Sequence, residues 1–205
     1  MTFKINFFKI LFSLFALISV QAVVAQTAHP KDTPDNLTAR AGKPAVDPFA
    51  DEFTVVRAAG MEMLLEDEEM NSEMVDDMIS FARRFMGTRY VHGGKKPGGF
   101  DCSGFTSYVF GQFGYKITSA SRGQATIGRP ISNRSDVLPG DILLFSGRGG
   151  GSTVGHVAIA IDTDPATGVV TFIHASVSKG ITIDKTSGAY YAKRYLGARR
   201  IVGVL

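Results

Sequence analysis

The sequence predicts an α+β domain, with N-terminal helices packed on a C-terminal antiparallel sheet. Three observations predict it: apolar residues at helical spacing up to Phe113, a change to a period of two from Asp141 onward, and Gly- and Pro-containing turns between the later segments. Met74, Met78, Phe81, Ala82 and Phe85 share one helical stripe and Gly87 follows, so a helix is expected over 72–86. A second helix is expected from Cys102 to Phe113, with Asp101 as N-cap, Phe105, Val109 and Phe113 on one face, and Gly114 as the stop. Pro139-Gly140-Asp141 reads as the turn that launches the first strand. Strands are expected near 141–146, 156–162, 169–176, 181–186 and 198–204, and the segment 163–168 (TDPATG) is one of the turns between them. No internal repeat is present.

Of the 205 residues, 44% are apolar and 20% charged, and the mean hydropathy is +0.08. That is globular composition, with room for one domain or at most two, and it excludes a disordered tail protein. The single cysteine excludes an internal disulfide. Residues 1–25 read as a cleaved signal peptide: Lys4 and Lys9 precede an apolar run from Ile10, and Val23-Val24-Ala25 offers small residues for cleavage. The run is shorter than the ~20 residues that span a bilayer and is diluted by Ser13, Ser19 and Gln21. Stable membrane insertion after cleavage is therefore not expected, and no cysteine follows the run to carry a lipid. Export to the periplasm or the medium of a bacterium is the implied localisation.

The formal net charge is +3, falling to +1 once Lys4 and Lys9 leave, too small a total to indicate nucleic acid as a partner. Its distribution is uneven. Residues 26–60 hold Pro30, Pro34, Pro44 and Pro48 among small and polar residues and read as a linker. Residues 61–77 carry eight carboxylates and no base, whereas residues 78–205, the expected folded domain, carry sixteen Lys or Arg against six Asp. The acidic helical segment could shield the basic domain; a solvated helix face is the simpler reading. The basic domain suits an anionic polymer, and a bacterial wall rich in free carboxylates qualifies.

The chemistry gathers at Cys102. In the first turn of its helix, unpaired backbone N–H groups and the positive dipole end favour a thiolate, the form in which cysteine is a nucleophile. Its own N–H is placed for a developing oxyanion, and Gly98, Gly99 and Gly104 would leave backbone open to a substrate. A small buried residue packed under the helix is the bland alternative. His156 opens a strand in which it shares a face with Ala158 and Ala160, opposite Val157, Ile159 and Ile161. The alanines would let the helix lie close. His174 stands on the adjacent strand of a hairpin, so one imidazole could take the thiol proton while the second holds the first in its working tautomer. Hydrogen-bonded core histidines are the alternative for both. Cysteine and histidine are also zinc ligands, but no short chelating pair appears and a closed site needs four ligands, so neither metal nor organic cofactor is expected.

The segments GTRYVHGGKKPGGFDCSGF, DVLPGDILLF, GHVAIAI and FIHAS occur in the order seen in the NlpC family of papain-like bacterial cell-wall cysteine peptidases, and over residues 81–202 the chain resembles that family. The resemblance implies a papain-like fold with Cys102 as nucleophile, His156 as base and His174 as the residue that orients it. It implies that the Tyr90 hydroxyl helps hold the oxyanion, and that Asp101 and Ser103 border the substrate. Family members usually carry an aromatic residue where this chain has His92, which makes the pocket wall more polar and offers a second imidazole for the third role. The stretch after the nucleophile helix commonly reads Leu-Pro-Arg and ends in Gln; here it runs Ile117 to Gln124, and Ser121 and Gln124 are taken as substrate contacts.

The expectation is an exported cysteine endopeptidase that cuts peptidoglycan stem peptides or cross-links, at D-Glu or D-Ala bonds to diaminopimelate, with peptidoglycan peptides as partner. An amidase or acyltransferase using the same Cys–His pair, and a non-catalytic wall-binding module, are the alternatives. Oligomeric state is not readable.

Overall fold

The computed structural model describes residues 50–204, with side chains from Gly60 onward. The expected signal peptide and the proline-containing part of the linker lie outside the described residues. The first helix, α1, spans Ala50–Arg83, so it begins inside the expected linker and runs through the acidic segment without a break. Residues 50–60 (ADEFTVVRAAG) contain no proline, and all four prolines that suggested a linker precede Ala50, so nothing in the backbone halts a helix there. Along 60–70 the helix is exposed on every side, and Met61, Met63, Leu64, Leu65 and Met70 are each more than half exposed. Burial starts at Met78, Ile79 and Ala82. The helix ends at Arg83 rather than 86, because Arg84, Phe85 and Met86 donate to carbonyls three residues back at 3.1, 3.2 and 3.1 Å, a tightened last turn.

A small hairpin, β1 (Lys95–Lys96) and β2 (Gly99–Phe100), leads into α2 (Cys102–Gln112), and a one-turn helix α3 (Ser121–Gln124) follows. The sheet consists of β3 (Arg129–Ile131), β4 (Ile142–Ser146), β5 (Val154–Asp164), β6 (Val169–Ser176), β7 (Gly180–Lys185) and β8 (Tyr195–Arg200), with a short helix α4 (Ala189–Ala192) between the last two. Strand order is β3-β8-β4-β5-β6-β7, antiparallel throughout. The edge strand β3 has no counterpart among the sequence expectations; it is three residues long and contains Pro130, which edge positions tolerate and central ones do not. The launching turn is secured by Asp141, which is buried, accepts from the Leu138 N–H at 2.7 Å and pairs with Arg200 on β8 at 2.9 and 2.8 Å.

The helices lie on the face opposite to the one the alanines suggested. Met78 and Ala82 of α1 and Phe105, Val109 and Phe110 of α2 pack on Ile142, Leu144, Val157, Ile159, Ile173 and Ile181. Branched aliphatic side chains fill the broad space beneath aromatic helix faces better than methyls do. The room above Ala158 and Ala160 is taken instead by Phe145 and Phe172 from the flanking strands, with Tyr191 and Tyr195 packed beside them. His156 and His174 belong to this second face, where Phe145 lies 5.9 Å from the His156 ring and Phe172 5.2 Å from the His174 ring.

Candidate active site

Asp101 does cap α2: its Oδ1 accepts from the Gly104 N–H at 2.6 Å, in extended backbone at φ −91°, ψ 176°. Its Oδ2 accepts from the Gly93 N–H at 3.0 Å, which draws the 90–94 loop onto the helix start. Gly104 is consumed by the same contact rather than left open to substrate, since a side chain there would overlap the Gly94 carbonyl. The loop so fixed carries Tyr90 and His92 into a cleft of about 1060 Å³ that also receives Cys102, His156 and His174.

Cys102 is 8% exposed. Three backbone N–H groups, of Val157, Ser103 and Cys102 itself, point at its sulfur and favour the thiolate, but burial outweighs them, and with the nearby Asp101 carboxylate it pushes the thiol above its usual range. The helix start supplies the donors expected to favour a thiolate, and burial opposes them.

Cys102 shares the cleft with imidazoles carried on the opposite face, where the sheet opens. The β5–β6 register runs from Asp164↔Val169 to Ile159↔Ile173 and stops, so the strands part where His156 and His174 stand. Continued, that register would set Val157 against Ala175; the Val157 N–H meets the Cys102 sulfur instead.

The imidazoles form a chain. His156 Nε2 lies 3.0 Å from His174 Nδ1, and His174 Nε2 lies 3.0 Å from Asp184 Oδ2 and 3.2 Å from the Tyr191 hydroxyl. The Asp184 carboxylate only accepts, so His174 carries its proton on Nε2; His174 Nδ1 then accepts, and His156 must donate from Nε2. The His156 Nδ1 lone pair is left free as a base. Burial, reinforced by the charge of His174, pushes His156 down to about 3. Burial also lowers His174, against the opposing pull of Asp184. Burial favours the neutral acid of Asp184, but its hydrogen bond to His174 and the charges of His174 and Lys179 prevail and hold it ionised.

Among the other expected site residues, Tyr90 lines the cleft and stays a protonated donor, its hydroxyl raised by burial and then by Cys102 and Asp101. His92 is exposed at the mouth, and His174 rather than His92 adjoins His156. Asp101, Ser103, Ser121 and Gln124 do not line the cleft. Ser103 donates toward Asp101 and the Ser119 carbonyl at 3.1 and 2.9 Å. Gln124 is fully buried, accepts from Thr106 at 2.7 Å and donates to the Ser103 and Thr118 carbonyls at 3.0 and 2.7 Å, pinning α3 to α2. Gln124→Ala removes three hydrogen bonds, two of them buried, so a loss of about 2 kcal/mol in urea unfolding is expected with KM unchanged. A raised KM at unchanged stability would show a substrate contact instead.

Asp184 and Tyr191 were missed. His174 pairs with Thr182, so Asp184, two residues on, is its diagonal neighbour on the same face; drawing the β6–β7 register would have exposed it. Tyr191 sits in α4 within a connection, where no periodicity points to it. No cluster of three or more metal-ligating side chains suited to an ion occurs among the described residues.

A cysteine in the first turn of a helix, sharing one cleft with imidazoles on an antiparallel sheet, fits the papain-like cysteine peptidase class. The NlpC/P60 family model matches residues 87–200, more than half of the chain. The chain belongs to the NlpC/P60 family and is a cysteine peptidase. It is 34% identical over 142 residues to the murein DD-endopeptidase MepS/murein LD-carboxypeptidase of Escherichia coli K12, covering 69% of this chain and 68% of that protein. It is 37% identical over 116 residues to the probable endopeptidase NlpC of the same organism, covering 56% and 70%. The crystal structure of an NlpC/P60 family protein from Bacillus cereus superimposes with a TM-score of 0.56 at 29% identity, over 62% of this chain and 40% of that one, so the present chain spans about two fifths of it.

Proposed function

We propose that the protein is an exported endopeptidase that hydrolyses peptidoglycan stem peptides or cross-links at D-Glu or D-Ala bonds to diaminopimelate, through Cys102, His156 and His174. The observation that carries this reading is the unbroken chain from the thiol's cleft through His156 and His174 to Asp184. The thiol begins neutral. As its sulfur attacks the scissile carbonyl, its proton passes to His156 Nδ1, and the imidazolium so formed donates through Nε2 to His174, whose own N–H faces the Asp184 carboxylate. The oxyanion is received by the Cys102 N–H and the Tyr90 hydroxyl. His156 returns the proton to the leaving amine, the C–N bond breaks, and a thioester remains. His156 Nδ1 then takes a proton from water, hydroxide adds to the thioester, and the sulfur leaves as the thiol with that proton.

Digestion of purified peptidoglycan by the full chain, with fragments weighed, tests the reading. Muropeptides cut within the stem or the cross-link, each heavier by one water in sum, are expected from the wild type and not from Cys102→Ala. Intact peptides freed from glycan would indicate an amidase, and no change in mass a binding module.

A further inference from the structure

Four cationic side chains line the cleft: Arg148, Lys179, Lys185 and Arg194. Two are engaged: Lys179 lies 3.4 Å from Asp184, and Arg194 donates to the Tyr190 carbonyl at 3.2 Å and stacks 3.9 Å above that ring. Lys185 is exposed and its charge acts on Asp164, whereas that of Arg148 acts on the Tyr90 hydroxyl. Arg148 is exposed, and among the described residues its guanidinium has neither a carboxylate nor a carbonyl partner. It nonetheless lines the cleft that holds Cys102 and His156, and its loop is fixed at the base. A side chain at Gly155 would lie 2.6 Å from the Gly147 Cα, so β4 and β5 approach at the base of this loop more closely than any other residue permits. Phe145, three positions before Arg148, is the β4 partner of His156. On the far side, the charge of Arg148 is felt at the Tyr90 hydroxyl, itself beside Cys102.

An unpaired guanidinium on the wall of the cleft that also holds His156 and Tyr90, a cleft that a peptide would close to water, is a receptor for a planar anion with two oxygens. We propose that Arg148 is a specificity-determining residue that binds a free carboxylate of the substrate adjacent to the scissile amide. The inference rests on the peptidase reading for the identity of the substrate, but binding can be measured apart from cleavage.

The probe is a synthetic peptide containing a D-Glu–diaminopimelate bond, compared with the same peptide amidated at each free carboxylate in turn. Affinity is measured by calorimetry on full-chain Cys102→Ala with and without Arg148→Ala, and turnover on the chain with its cysteine intact. Arg148→Ala is expected to weaken binding of the free peptide about 10- to 100-fold, as for loss of a charge-assisted pair. It should leave unchanged the binding of one amidated form, and Arg148→Lys should recover part of the loss. In turnover the same factor should appear in KM, with kcat little altered. Equal losses on free and on every amidated peptide, or no loss on the free one, would overturn the role of Arg148. Absence of cleavage by the wild type would sink the peptidase reading while the binding comparison still decides this one.

Discussion

His156→Ala is expected to lower kcat by about three orders of magnitude and Asp184→Asn by about two, each with KM nearly unchanged. In the proposed mechanism, the first removes the group that accepts the thiol proton. The second acts at a distance, through tautomers. With its N–H₂ turned to His174 Nε2, the carboxamide introduced by Asp184→Asn makes that nitrogen an acceptor and moves the His174 proton to Nδ1, which then donates to His156 Nε2. The His156 proton is driven to Nδ1, the atom that must be bare. With its carbonyl turned there instead, the same carboxamide preserves the tautomer but gives up the charge that stabilises the imidazolium. Either orientation leaves the Cys102 cleft intact, so steady-state kinetics with circular dichroism separate this from misfolding. Asp184→Glu should recover part of the activity. A fully active Asp184→Asn would remove Asp184 from the relay.

The second large effect concerns the state of the thiol. Burial drives Cys102 up and His156 down to about 3, and both shifts favour neutral thiol beside neutral imidazole. A thiol whose value is raised is protonated over a wider range, so alkylation of wild-type Cys102 by iodoacetamide should climb with pH and reach its midpoint above about 8.5. At pH 6 the rate should fall at least a hundredfold below its alkaline plateau, and His156→Ala should change that low rate little, because no imidazolium is present to lose. A midpoint near pH 5 to 6 that vanishes in His156→Ala would establish a resting ion pair.

The sequence made Cys102 and both imidazoles legible because each sits where local rules are strong: Cys102 behind an N-cap, His156 in a strand that begins two residues before the expected start, at Val154, and His174 within a strand whose bounds, Val169–Ser176, agree with expectation to the residue. The sheet face was misread because alternation says which residues share a side but not what covers it; the space beside Ala158 and Ala160 is filled by Phe145 and Phe172, which only cross-strand register reveals. Asp184 escaped for the same reason. Gln124 and Ser103 carry motif positions but are spent on holding α3 and the 119 region to α2. The burial that opposes ionisation of Cys102 could not be read, because helix position can be followed along the chain whereas burial depends on the whole fold.

The parting of β5 from β6 has a cost that the cysteine itself meets. One amide of the central strand, that of Val157, gives up its rung in the ladder and is left with sulfur as its acceptor. The sulfur proposed as the nucleophile is therefore also a piece of the scaffold, and each chemical state in that proposal, thiol, thioester or alkylated adduct, changes how well one buried amide is satisfied. Removing it to silence the enzyme strands a donor in the core at a cost of about 1–3 kcal/mol, so chemistry and architecture here cannot be edited one at a time.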